Sequence, residues 1–185
     1  KADYSVCKHN PIHKCFNFDV GANDLELMRR LAAAGSDHAK YRRMITVYAD
    51  VLAPLYFFKE YDTYKVGTVA NSCSTMHKIH DKEFTLDDFS HEHLLPGPKE
   101  LLVDIIDMLN AARVWYLDGK NKDDWWQMIQ LLPTSYNQKR TVQLNYAVLR
   151  NIYFSRRNHK LDEWHVFCKW IEGLPYAELI TEGGN

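Results

Sequence analysis

The sequence predicts an α+β fold: a helix-rich single domain with a small sheet. Several stretches repeat apolar residues with a helical period, whereas "MITVYADV" alternates apolar and polar residues and is rich in β-branched side chains, as strands are. The chain has 185 residues, of which 46% are hydrophobic and 25% charged, so it is long enough to bury a core. We therefore expect one domain over residues 1–185, without internal repeats.

The net charge, the hydropathy and the cysteine content limit the classes of protein to which this chain can belong. A net charge of -1 gives no long-range attraction to nucleic acid or to an anionic membrane, although a local phosphate site stays open. No apolar run approaches the roughly 20 residues of a membrane span, and no signal-like N-terminus is present, so we expect a cytoplasmic protein. The four cysteines are too few and too scattered for a disulfide scaffold, so we expect reduced thiols.

The first half of the chain predicts short elements. "NDLELMRRLAAAG" predicts a helix with Asn23 as its N-cap and Gly35 as its left-handed stop. A second helical piece is expected to begin at Ser36. The strand "MITVYADV" follows, and Pro54 ends it and opens a short aromatic helix that leads into "TYKVGTVANSCSTMHKIH".

The second half predicts longer helices after a loop that extends from Asp81 to Pro98. "PKELLVDIIDMLNAARVWYL" carries a wide apolar stripe and ends at Gly119, and "KDDWWQMIQLL" has acidic residues in its first turn and stops before Pro133. "TVQLNYAVLRNIYFSRRN" continues the helical pattern. "LDEWHVFCKWIEGL" predicts a last amphipathic helix, closed by Gly173.

One N-terminal segment offers metal ligands. In "CKHNPIHKC", Cys7, His9, His13 and Cys15 supply two sulfurs and two imidazoles within nine residues. Zinc binds such ligands, but the spacing matches no zinc-finger pattern and would strain a tetrahedral site. We therefore favour an N-terminal loop around Pro11 and predict no metal, with a zinc-stapled helical protein as a further alternative.

Three groups of polar residues are candidates for a binding site. Asp37 and His38 occur in "GSDHA", where dipole compensation and structural hydrogen bonding are the commoner roles. Asn71, Ser72 and Ser74 could hold a ligand or satisfy a tight turn. The third group lies around an expected helix N-terminus in "LLPTSYNQKRTVQLN", where free N–H groups and two cations would favour an anion, so it is the best candidate for a phosphate site. Its residues are Asn137, Gln138, Lys139, Arg140, Thr141, Gln143 and Asn145.

The order of these groups resembles the flavin-dependent thymidylate synthases, the ThyX family. "AAGSDHAKY" stands where that family has its Gly-His…Glu-His-Ala corner, and Asn71 and Ser74 fall on the Asn-x-x-Ser of its signature. The later part of the family pattern has a Leu-Pro, a Thr, an Asn and an Arg, and this chain has similar residues in the same order. "HKLDEW" stands where the family has its Ala-Gln-x-Glu segment. The matching positions are Leu132, Pro133, Thr141, Asn145 and Arg156. A first strand of that fold is expected to lie before Lys1.

The resemblance implies a site and its ligands. It implies flavin (FAD) contacts at His38, Lys65, Asn71 and Ser74. It implies contacts to a deoxyuridylate-like nucleotide (dUMP) at Asn145 and Arg156, and we expect Arg140 and Gln143 of the third polar group to bind the same nucleotide. It also implies association of copies of the chain as a homo-oligomer, with the nucleotide between subunits. Tyr64, Lys65 and Val66 replace the Arg-His-Arg of the signature, and Met76 replaces its last Arg.

Two functions from different classes follow from the resemblance. One is flavin-dependent methylation of dUMP, or a related modification, for which NADPH and methylenetetrahydrofolate would also be required. The other is a catalytically degenerate relative that binds a nucleotide or a protein partner. The phrases "KEYDTYKVGTVANSCSTMHKI" and "LLPTSYNQKRTVQLNY" are similar to uncharacterised proteins of Gram-positive bacteria and their phages, so a phage-encoded module belongs to this second class.

Overall fold

The computed structural model describes the backbone of residues 3–6 and 16–19, and residues 20–182 in full. The chain divides into two compact units. The first unit comprises Lys1–Thr46, Asn145–Lys160 and Trp164–Asn185, and the second comprises Val47–Leu144 and Leu161–Glu163. Cys7, His9, His13 and Cys15 lie outside the described residues, and the predictions for them stay predictions, as does the expectation of a single domain.

The first unit contains two strands, four α-helices and a 3-10 helix among its described residues. Strands β1 (Asp3–Val6) and β2 (Phe16–Asp19) pair antiparallel, with Asp3 opposite Asp19. Helix α1 (Ala22–Ala33) and a 3-10 helix (Lys40–Met44) follow. The remaining elements are α6 (Tyr146–Arg156), α7 (Asp162–Glu172), of which Trp164 onward belongs here, and α8 (Glu178–Thr181).

Helices α6 and α7 supply most of the buried side chains of the first unit. Helix α6 packs against α8 and against the 3-10 helix, and α1 packs against α8. Trp164 is completely buried and belongs to this core. The buried side chains of α6 and α7 lie on one face of each helix, at spacings of three or four residues apart from the adjacent pair Phe167 and Cys168, and α8 adds another adjacent pair. They are Tyr146, Leu149, Ile152, Trp164, Phe167, Cys168, Ile171, Leu179 and Ile180.

The second unit is a three-stranded sheet with helices. Its elements are β3 (Thr46–Pro54), of which Val47 onward belongs here, α2 (Leu55–Tyr61), β4 (Val69–Ser72), α3 (Thr75–Lys78), a 3-10 helix (Leu86–Asp88), α4 (Pro96–Gly119), α5 (Lys122–Leu131) and β5 (Asn137–Asn145) up to Leu144. The sheet has the order β3-β5-β4. Val69 lies opposite Gln143, and Ser72 lies opposite Arg140, because β4 and β5 are antiparallel.

The core of the second unit lies between α4 and α5. Leu102, Ile106, Leu109 and Ala112 of α4 are buried together with Met128 of α5. Their spacing follows one face of the helix, so the apolar stripe of the sequence is confirmed for these residues. Leu101 and Met108, which belong to the same predicted stripe, are 61% and 50% exposed. The stripe was therefore wider than the core-facing surface.

The α+β prediction is confirmed, and three local predictions are wrong: the helix from Thr141, the helical piece from Ser36 and the N-cap at Asn23. The segment from Thr141 to Asn145 is the end of strand β5 and not a helix, which begins only at Tyr146. Residues 36–38 form a turn after Gly35, whose φ of +113° is the left-handed conformation predicted for it. Asn23 lies inside α1, since Gly21 is the N-cap.

Candidate functional site

Strands β4 and β5 bring together several of the predicted site residues in the second unit. Asn71 lies directly opposite Thr141, and Gln143 lies two positions further along β5, opposite Val69. Residues that are directly opposite in an antiparallel pair project from the same face of the sheet. Asn71 and Gln143 therefore share one face, on which Asn71 is exposed and Gln143 is half-buried.

A carboxylate of the neighbouring strand organises this face. Asp50 of β3 accepts a hydrogen bond from the Thr141 hydroxyl at 2.6 Å and forms an ion pair with Lys139 at 2.7 Å. Hydrogen bonds from Lys139 and Thr141 hold the pKa of Asp50 below its usual value, so the carboxylate is charged at neutral pH. We call this exposed surface, with Asp50, Asn71, Lys139, Thr141 and Gln143, the polar sheet face.

Arg140 projects from the opposite face, because successive residues of a strand alternate. Its Nη1 donates to Asp62 Oδ1 at 2.8 Å, and its Nε donates to Gln138 Oε1 at 2.8 Å. The guanidinium carbon lies 4.0 Å from the centroid of the Phe58 ring, a cation–π arrangement. Only 16% of the side chain is exposed. Arg140 is therefore held by α2 and does not lie on the polar sheet face.

Ser74 and Lys65 lie in the segments that flank β4. The Ser74 hydroxyl oxygen accepts from the His77 N–H at 3.2 Å, so Ser74 is the N-cap of α3. Gln138 supports the same loop, since its Nε2 donates to Thr75 Oγ1 at 2.9 Å. Lys65 is exposed in the loop between α2 and β4. Ser74 thus satisfies a backbone N–H group, the structural role that the sequence left open for it, and its role in ligand binding stays a prediction.

The first unit carries the other three predicted residues. His38 is exposed in the turn after α1. Asn145 is the N-cap of α6 and accepts from the Val148 N–H at 3.0 Å. Arg156 lies at the other end of that helix, with its guanidinium carbon 5.0 Å from the centroid of the Trp164 ring. Asn145 and Arg156 are eleven positions apart along the helix, which corresponds to about 16 Å. Within one copy of the chain, the two side chains therefore cannot contact the same phosphate group.

The structure does not support the predicted helix N-terminus with two converging cations. Lys139 and Arg140 are neighbours on strand β5, so their side chains project from opposite faces of the sheet. Lys139 is paired with Asp50, and Arg140 is paired with Asp62. The prediction of an anion site formed by a helix N-terminus and these two cations is therefore wrong. The individual roles of Arg140, Gln143 and Asn145 stay predictions.

A second polar cluster of the second unit has no counterpart in the sequence analysis. The Tyr56 hydroxyl donates to Glu163 and lies 2.9 Å from Ser90 Oγ, which donates to Glu92 at 2.9 Å. Burial and the hydrogen bond to Glu163 raise the pKa of Tyr56 to about 12. Nothing in the sequence joins these residues, since they come from three distant segments.

Metal and membrane signals can be assessed for the described residues. Within residues 20–182 no three His, Cys, Asp or Glu side chains are grouped as a metal site would require. Among the helices of this region, none is both long and apolar enough to span a bilayer.

Comparisons with known proteins identify the fold. No family model and no curated protein matches the chain. Two solved structures of the flavin-dependent thymidylate synthase ThyX from Helicobacter pylori, both complexed with FAD and dUMP, are similar to it. One has a TM-score of 0.65 and 16% sequence identity, and covers 87% of this chain and 83% of the other. The second has the same score and identity, with 88% and 84% covered.

At this identity the likeness shows the fold alone. The chain therefore has a ThyX-like α+β fold, as the order of its motifs predicted, and the resemblance extends over most of its length.

Proposed function

We propose that the protein binds a dUMP-like nucleotide and that copies of the chain associate around it. The observation that carries the proposal is the position of Asn71. It lies exposed on β4 with Ser74 just beyond the strand, and both residues fall on the Asn-x-x-Ser pattern of a family whose fold this chain has. The H. pylori proteins of that fold were solved with dUMP.

The chemistry of each proposed nucleotide contact differs. The Gln143 amide, on the same strand face as Thr141, offers both a donor and an acceptor to a pyrimidine edge. The side chain of Asn145, whose oxygen caps α6, also carries an amide N–H₂ group of the donor type that a nucleotide oxygen accepts from. Arg156 would hold the phosphate or the pyrimidine, since guanidinium groups recognise both. Arg140 would act by positioning, because Asp62 and Gln138 already hold it.

FAD is the cofactor that we propose. Its phosphates would find donors at Lys65 and Asn71, which are exposed, and at the Ser74 hydroxyl, which keeps its proton free while its oxygen caps α3. His38 would contact the ring system. Bound flavin would supply hydride transfer, with NADPH as reductant and methylenetetrahydrofolate as carbon donor if the protein methylates dUMP.

The alternative is a degenerate ThyX-like protein that binds a nucleotide or a protein partner without catalysis, for instance in a phage. A specific observation favours it. Lys65 is the only Lys or Arg between Thr63 and Ser74, where the family signature has two arginines, and Met76 replaces a third. Arg140 does not compensate for them, because its guanidinium is engaged by Asp62.

Two measurements on the purified protein test the proposal. The visible absorption spectrum, recorded before and after soaking with FAD and desalting, shows whether flavin is retained. Calorimetry with dUMP shows whether the nucleotide binds. A retained flavin band would support the redox enzyme and make dUMP-dependent flavin oxidation the next assay. Binding of dUMP by a colourless protein would support the degenerate alternative, and absence of both would contradict the proposal.

A matched pair of variants tests the nucleotide site itself. Arg156→Ala is expected to abolish dUMP binding, whereas Arg157→Ala, at the neighbouring exposed position, should leave it unchanged. Thermal unfolding of both variants controls for folding, since Arg156 also lies over the Trp164 ring. An Arg156→Ala protein that is folded and binds dUMP like the parent would contradict the role of Arg156.

A further inference from the structure

A cleft of the second unit lies beside α3 and is lined by Met76 and His77 of that helix, but by none of the residues proposed above to contact FAD or dUMP. It has a volume of about 360 Å³ and opens where α3, the end of α4 and the start of α5 meet. This volume is within the range of small-molecule sites, about 300 to 1,000 Å³. Four of its lining residues carry cationic or imidazole side chains: His77, His80, Lys120 and Lys122.

The two lysines are placed by the junction between α4 and α5. Lys120 ends α4 in a left-handed conformation with φ of +51°, and its N–H donates to the Tyr116 carbonyl at 2.8 Å. Lys122 is the first residue of α5. In the described part of the chain neither forms an ion pair, whereas Lys78, Lys82 and Lys139 each pair with an aspartate. Neither ammonium group is therefore held by a carboxylate at ion-pair distance among the described residues.

His80 contributes hydrogen-bonding capacity that the protein leaves unused. Its ring meets the Tyr116 ring at a centroid distance of 4.9 Å and an angle of 67°. Its Nδ1 is buried without a hydrogen-bond partner, although buried polar atoms are almost always paired. The nearest carboxylate, Asp81, is 3.7 Å from Nε2 and is already paired with Lys78 at 3.0 Å.

The aromatic side chains of the cleft hold its walls. Trp125 Nε1 donates to the Met76 carbonyl at 3.0 Å, which ties α5 to α3. The Lys120 ammonium lies 5.1 Å from the centroid of the Tyr116 ring, a cation–π contact that draws its stem along α4. Because the indole N–H is used internally, polar recognition in the cleft is left to the lysines and histidines.

We propose that this cleft binds the phosphate group of a small molecule. Two ammonium groups that form no ion pair, together with two imidazoles around one opening, suit a compact, multiply charged anion with several acceptor oxygens. Neither the polar sheet face nor Arg156 contributes to the cleft, so the proposal stands or falls independently of nucleotide binding there.

The indole N–H of Trp125 provides a local readout. In ¹⁵N-labelled protein its NMR signal, assigned with Trp125→Phe, is followed during titration with inorganic phosphate and with chloride at equal ionic strength. We expect a saturable shift with phosphate only. The double variant Lys120→Gln/Lys122→Gln should weaken phosphate binding about tenfold or more, because hydrogen bonds to charged groups are the strong ones. Lys59→Gln, an exposed lysine outside the cleft, is the matched control.

The outcomes separate the possible sources of the phosphate. A Trp125 signal that does not respond to phosphate, or a double variant that binds phosphate like the parent, would overturn the proposal. A further titration compares glycerol phosphate with a short single-stranded oligodeoxynucleotide. Tighter binding of glycerol phosphate supports a small molecule, whereas a response to the oligonucleotide alone would replace it with a nucleic-acid site.

Discussion

Arg140 and Asp62 form an ion pair that ends a chain of hydrogen bonds beside β4. The Arg140 Nη1 atom donates to Asp62 Oδ1 at 2.8 Å, and its Nε donates to Gln138, which in turn donates to Thr75. Thr75 begins α3, directly after the segment that carries Asn71 and Ser74. The position of the proposed ligand-binding loop therefore depends on an arginine that sequence analysis assigned to the substrate.

The first prediction concerns this ion pair. Arg140→Ala is expected to lower the free energy of unfolding by about 1 to 2 kcal/mol, because Arg140 is mostly buried while Asp62 is half exposed. Asp62→Ala should cost less, and chemical denaturation of the double variant should show coupling of at least about 0.5 kcal/mol. Strictly additive changes in unfolding free energy would mean that the ion pair does not stabilise the fold. Lys59→Gln, at an exposed position of α2, is the control and should leave the unfolding free energy nearly unchanged.

The second prediction separates two roles of Asn145. Asn145→Ala is expected to lower the free energy of unfolding by about 1 kcal/mol, because α6 loses its side-chain cap. Asn145→Asp keeps a capping oxygen and should retain stability. If Asn145 also contacts the nucleotide phosphate, the new carboxylate should weaken dUMP binding in calorimetry. An Asn145→Asp protein that binds dUMP like the parent would limit the residue to capping.

The third prediction concerns alkaline pH. Burial and the Glu163 hydrogen bond raise the pKa of Tyr56 from 10.0 to about 12, so between these values the folded state keeps a proton that the unfolded state has lost. This contribution to stability is complete below pH 10 and is lost as the pH rises to 12. Tyr56→Phe should therefore flatten the decline of unfolding free energy in this window. An unchanged slope would contradict the raised pKa.

The fourth prediction uses cysteine labelling to locate the ligand. Cys73 is exposed between Asn71 and Ser74, whereas Cys168 is buried in α7, and burial raises the pKa of the Cys168 thiol to about 11. A thiol reagent followed by peptide mass spectrometry should therefore modify Cys73 well before Cys168. Added dUMP is expected to slow the modification of Cys73. Equal labelling of Cys73 with and without dUMP would place the nucleotide elsewhere.

The long helices could be predicted because their cause is local. Helix α4 buries Leu102, Ile106 and Leu109, whose spacing of three or four residues is visible in the sequence. Strand β3 was visible for a similar reason, since Val47, Ala49 and Val51 alternate with exposed residues. In both elements the pattern of one segment is enough to indicate which face will be buried.

Strands β4 and β5 could not be predicted in this way. Every residue of β4 is exposed, so no apolar alternation marks it, and it is a strand because β5 pairs with it. Val142 of β5 is followed by Tyr146 and Leu149 of α6 at spacings of four and three residues, which match a helical period, whereas the buried Leu144 keeps the period of a strand. The sequence therefore predicted one helix from Thr141 where the structure has the end of β5 followed by α6.

The sequence by itself determined the fold class, the helical cores and the order of motifs that resembles the ThyX family, because these depend on local periodicity and on residue order. The tertiary structure alone decided which polar residues meet. It paired Arg140 with Asp62, placed Lys139 on the other face of the sheet, and assembled His80, Lys120 and Lys122 around one cleft. Side chains from distant segments become neighbours only when strands pair and helices pack, and no local pattern encodes that pairing.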